Sequence, residues 1–98
     1  MLEEFTADTF ENLIGQSFHL RHEDWPDTAA KLVQVRQLSD QNGSSGRAPF
    51  SLLFACDGHT EPVQAIFRLE HEKIGGLDLF LVPVGQDERG LLLEAIFT

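Results

Sequence analysis

Tyrosine is absent from this chain, cysteine and tryptophan occur once each, and no apolar run approaches the ~18 residues of a membrane-spanning helix. A single cysteine, Cys56, excludes an intramolecular disulfide and a paired-cysteine zinc site. It sits in the apolar run "FSLLFAC" and reads as a small buried hydrophobe. Basic residues are scarce: seven Lys and Arg stand against sixteen Asp and Glu, for a net charge of −9. Phosphate backbones and anionic lipid surfaces are repelled by such a surface, so neither a nucleic acid nor a membrane is expected as a partner. The acids are scattered in short pairs such as Glu3–Glu4, Glu23–Asp24 and Asp87–Glu88. That is the pattern of a solvated surface rather than of an acidic tail. The opening "MLEEFTADTF" has neither the basic region nor the apolar core of a signal peptide, so the cytoplasm is the default compartment, with leaderless export as the alternative.

Catalytic signatures are missing as well. No glycine-rich phosphate loop and no HExxH occur, and neither Ser51 nor Cys56 sits in a glycine-flanked elbow. No enzyme activity and no cofactor are expected.

What is present is a 98-residue chain rich in phenylalanine and patterned for strands. Its length suits one domain, residues 1–98. Thr6 is placed to cap a helix over 6–14, with Phe5 and Phe10 at the spacing of a hydrophobic staple. Phe10, Leu13 and Ile14 make its apolar face, and Gly15 stands where it should stop. From residue 17 to 97 the period falls to two. "SFHLRH" alternates, and after a turn at "EDWPD" residues 29–38 form a longer strand in which Val33 and Val35 share a face. "SDQNGSSG" opens a flexible loop over 39–48. Phe50, Leu52, Phe54 and Cys56 then share one face. "DGHTEP" (57–62) reads as a hairpin connection, and Val63, Ala65, Phe67 and Leu69 follow on one face, opposite Gln64, Arg68 and Glu70. Two strands near the C-terminus are apolar on both faces, "LDLFLVPV" save for Asp78 and "LLLEAIF" save for Glu94. The expected architecture is mainly β with one N-terminal helix: a small antiparallel barrel or sandwich of about six strands.

Two stretches invite a metal or acid–base reading. In "RLEHEKIGG" a histidine stands between two glutamates, but in a strand Glu70 and Glu72 share one face and His71 points to the other. His19 and His22 in "HLRHED" fall on opposite faces for the same reason, and His59 sits in a turn. No metal site is expected. The doubly apolar strands are the more unusual feature. Either the helix and barrel curvature cover them, or Phe80, Val82, Val84, Leu92 and Ile96 meet another protein chain. Glu94, the one acid of the last strand, needs a polar partner, with Arg68, Gln64 or His71 as the candidates.

"FENLIGQSFHL", "APFSLLFAC", "VQAIFRLEHEKIGGLDLFLVPVG" and "LLLEAIF", taken in order, resemble a family of small bacterial proteins of unknown function. Gln64, Leu69, His71, Gly75, Phe80, Pro83 and Glu94 stand at family positions, and the match spans nearly the whole chain. The resemblance implies a place beside phage-tail-collar-like proteins, and so a fibre-associated or assembly role. The function expected is a non-catalytic protein–protein interaction domain, self-associating or an accessory subunit of a fibre or tail-like protein. A barrel that binds a small ligand in its interior and an acidic inhibitor of a nucleic-acid-binding protein are the alternatives.

Overall fold

The structure, a computed structural model, describes residues 5–23, 28–38, 49–56 and 64–97. The expected loop over 39–48, the "DGHTEP" segment with His59, and most of the "EDWPD" turn lie outside the described residues. Six strands follow one short helix: α1 (Ala7–Glu11), β1 (Ser17–Arg21), β2 (Thr28–Gln37), β3 (Phe50–Cys56), β4 (Ala65–His71), β5 (Gly75–Asp87) and β6 (Gly90–Phe97). They close into an antiparallel barrel in the order β1-β2-β3-β6-β5-β4.

The helix is nucleated as its residues dictate. The Thr6 N–H donates to Thr9 Oγ1 at 3.2 Å, and the Phe5 and Phe10 rings meet at 5.7 Å. It is shorter than the expected 6–14. Past Glu11 the chain continues in three-residue turns, Leu13 N–H to Phe10 O and Ile14 N–H to Glu11 O. That tighter winding carries Ile14 off the apolar face, where it stands 47% exposed. Gly15, at φ +92°, ends the turn in a conformation costly for any L side chain and donates its N–H to Leu32 O.

Alternation then builds the interior. Phe18 and Leu20 from β1, Phe50, Leu52, Phe54 and Cys56 from β3, Phe67 and Leu69 from β4, and Leu81 and Leu93 from β5 and β6 point inward and are buried. Six strands leave an interior that side chains of this size can fill. Phe50 and Phe97, opposite each other on β3 and β6, stack at 4.6 Å, and Phe10 of α1 closes over them at 6.0 and 5.5 Å. α1 therefore lids one end of the barrel. Each fully buried phenylalanine contributes about 1.5–3 kcal/mol.

Two expectations are corrected. β3 pairs with β2 and β6, and β4 with β1 and β5, so β3 and β4 do not form a hairpin but stand on opposite sides of the barrel. An Asp-Gly pair signals a chain reversal and says nothing about which strand comes alongside. In β2 a bulge between Leu32 and Gln34 shifts the register. Inward positions change there from Ala30 and Leu32 to Val35, which packs on the core, while Val33 lines the outer wall; the two valines do not share a face.

Candidate functional site

Outward positions on β4, β5 and β6 should be polar if they only meet water. Several are not. Ile66 of β4 is 63% exposed, Phe80 of β5 53% and Ile96 of β6 59%. Ile66 lies directly opposite Phe80, and the β5–β6 register, which sets Val82 opposite Glu94, places Phe80 level with Ile96 when continued by two residues. The three large side chains thus form one row across three strands. Val82 and Leu92 are half-buried beside this row, and Val84 is 51% exposed. The inner faces of the same strands, Leu77, Leu79 and Leu81 on β5 and Leu91, Leu93 and Ala95 on β6, are buried. α1 does not cover the outer row: it packs mainly on β2 and β3 and closes the barrel end over Phe50 and Phe97.

Glu94 lies in the middle of this face. Its cross-strand neighbours are Val82 on β5 and Leu53 on β3, and Leu92 and Ile96 precede and follow it on the same side of β6. Its carboxylate is half-buried and has no hydrogen bond or ion pair among the described residues. The expected polar grouping of Glu94 with Arg68, Gln64 or His71 is not formed, because β5 stands between β4 and β6. Arg68 reaches Asp78 on β5 at 3.5 Å, and Gln64 is exposed just before β4.

The stretch "RLEHEKIGG" is the turn from β4 into β5. Glu70 faces outward and meets Arg21 at 3.0 Å. His71 faces the other way, with its ring 4.7 Å from Phe18 and its Nε2 2.7 Å from Gln16 Oε1. The Lys73 N–H donates to His71 Nδ1 at 3.1 Å, so Nδ1 is the acceptor and Nε2 carries the proton given to Gln16. Gly75, at φ +75°, lets the chain turn back. The histidine therefore ties the turn to the segment after α1. His19 and His22 also separate: His19 faces outward on β1, and the His22 ring lies 5.1 Å from Phe67. Among the described residues no group of three His, Cys, Asp or Glu is placed to hold a metal ion.

Two other features carry charge or a nucleophile. A depression of about 430 Å³ on the outer wall of β1–β3 is lined by Ser17, Ala29, Val33 and Ala55 together with the charged Lys31, Glu88 and Arg89. Arg89 is already held by Asp87, through Nη2 at 2.7 Å and the backbone N–H at 2.8 Å, and these bonds lower the Asp87 carboxyl below its usual range. Cys56 is fully buried, and desolvation pushes its thiol up to about 11. It is a packing residue.

A family model described as a domain of unknown function, DUF6916, matches residues 5–97. The chain belongs to this family. No curated protein and no solved structure matches the DUF6916 chain. Among its described residues no helix is long and apolar enough to cross a membrane. The outer face of this DUF6916 domain also contains one residue that sequence reasoning missed. Ile66 stands between Gln64 and Arg68 on the polar side of β4, and that alternation alone was enough to place it outside.

Proposed function

We propose that this DUF6916 domain is a non-catalytic accessory protein that docks on a different protein through the outer face of β4, β5 and β6. The observation that carries the reading is the exposed row Ile66–Phe80–Ile96, three large apolar side chains side by side on adjacent strands. Large apolar side chains grouped on one exposed face of a strongly charged chain support a contact site.

Size and charge favour a different protein over a second copy. From β4 to β3 the face is about 14 Å wide, and from Ile96 to Leu92 about 14 Å long, or roughly 200 Å² of flat area. A stable dimer buries about 800 Å² on each partner. The face is therefore the centre of a non-obligate contact, and two chains each at −9 repel one another. The family resemblance points to a fibre or tail-like component as the protein served. An interior ligand is the weaker reading, since it has to displace Phe18, Phe54, Phe67 and Leu81, all packed at 0–1% exposure. The charge alone supports an acidic inhibitor, and charge does not account for the apolar row.

Photocrosslinking in the cells that make the protein tests the proposal. A benzophenone side chain at position 66, 80 or 96 is expected to give a discrete protein adduct. The same group at Ala29, on the opposite wall, is expected to give none. Equal labelling from all four positions would refute the assignment of the face.

A further inference from the structure

We infer that Glu94 is the specificity anchor of this face, and that the docking partner sets a lysine or arginine, flanked by apolar side chains, against it. This rests on the protein-binding reading above and names the chemistry of the partner. Glu94 is the only acid among the apolar side chains Val82, Leu53, Leu92 and Ile96, its nearest neighbours along and across the sheet. In the free protein water reaches its partly exposed carboxylate. A partner seated on Phe80 and Ile96 removes that water, and a desolvated carboxylate without a counter-charge is strongly unfavourable.

Among the described residues Glu94 has no counter-charge: no ion pair joins it to Lys31, Arg36, Lys73 or any arginine. Arg68 is turned to Asp78, Arg21 to Glu70 and Arg89 to Asp87. A second copy laid face to face brings another Glu94 to the centre, which adds like-charge repulsion to the desolvation. A purely apolar partner leaves the carboxylate buried and unpaired. Only a cation amid apolar groups satisfies the ring and its centre together. The acid thus rejects wrong hydrophobic surfaces as well as selecting the right one.

The test uses the full chain with the crosslinker at position 96, in cells, with Glu94 intact or replaced. Glu94→Lys and Glu94→Gln should fold normally, since the side chain has no partner among the described residues to lose, and a thermal melt checks this. The expected adduct is with a different protein, through a peptide that holds a lysine or arginine beside apolar residues. Glu94→Lys is expected to lower its yield by about 30-fold or more and Glu94→Gln by about tenfold. Changing the partner's basic residue to Glu should restore the adduct with Glu94→Lys. The inference is overturned if the adduct is a second copy of this chain, if the crosslinked peptide lacks a basic residue, or if Glu94→Lys leaves the yield unchanged. Absence of any adduct from positions 66, 80 and 96 alike overturns the protein-binding reading itself.

Discussion

Phe10 and Phe80 are the same residue type in opposite circumstances, and replacing each by alanine separates structure from contact surface. Phe10 is 0% exposed and touches the rings of Phe5, Phe50 and Phe97. Removing such a ring from a core costs about 3–5 kcal/mol. Phe80 is 53% exposed and has Ile66 opposite it. Less than half of a phenylalanine's burial free energy is at stake there, so Phe80→Ala should cost about 1 kcal/mol. A domain of this size loses about 4–8 °C of Tm for each kcal/mol. The expected falls are therefore about 12–40 °C for Phe10→Ala and at most about 8 °C for Phe80→Ala. Urea unfolding gives the same comparison through the midpoints, with an unchanged m-value showing that both variants unfold from a compact native state. Binding should rank them in reverse: Phe80→Ala weakens the crosslinked partner's Kd by about 30-fold, as loss of a central aromatic anchor does. A Phe80→Ala variant as destabilised as Phe10→Ala would mean that the ring belongs to the core, and the argument for a displayed face would fail.

Burial raises the Cys56 thiol from 9.0 to about 11, so the fold holds it neutral where the unfolded chain ionises it. Stability should be unaffected by this group below pH 9, fall by roughly 3 kcal/mol between pH 9 and 11, and level off above; the wild-type minus Cys56→Ala difference in unfolding free energy isolates it. Gly15→Ala should cost about 1–2 kcal/mol in a chemical melt, because alanine cannot adopt φ +92° without strain. His71→Ala should cost about 2 kcal/mol, through the lost bond to Gln16 and the lost contact with Phe18. Arg21→Gln, which removes an exposed ion pair, should cost less than about 1 kcal/mol; equal effects of these two would contradict the structural role given to the histidine.

Much of the barrel was legible because its strands are half-buried and therefore alternate. Phe50, Leu52, Phe54 and Cys56 all face inward as their spacing required, and Phe5 with Phe10 marked the start of the helix. The same rhythm separated Glu70 from His71 and His19 from His22. Strand order was not legible, since it is fixed by long-range packing and closure rather than by any local pattern. For that reason the sequence offers Glu94 partners on or beside β4, a strand it does not touch. The bulge at Val33 likewise arises where β2 must stay matched to β3, which no residue of β2 announces alone. The apolar excess on β5 and β6 is visible in the sequence, but its exposure depends on where α1 packs, and α1 lies mainly against β2 and β3 at the barrel end.

Side-chain oxidation by hydroxyl radicals, read by mass spectrometry on the purified domain and on the domain inside its native cells, tests the exposed-face account most directly. Phe80, Ile66 and Ile96 should be oxidised readily in the purified protein and protected in the cell, while Phe18 and Phe54 stay protected in both. Equal oxidation of Phe80 in the two settings would contradict a partner on this face, and protection of Phe80 in the isolated domain would contradict its exposure.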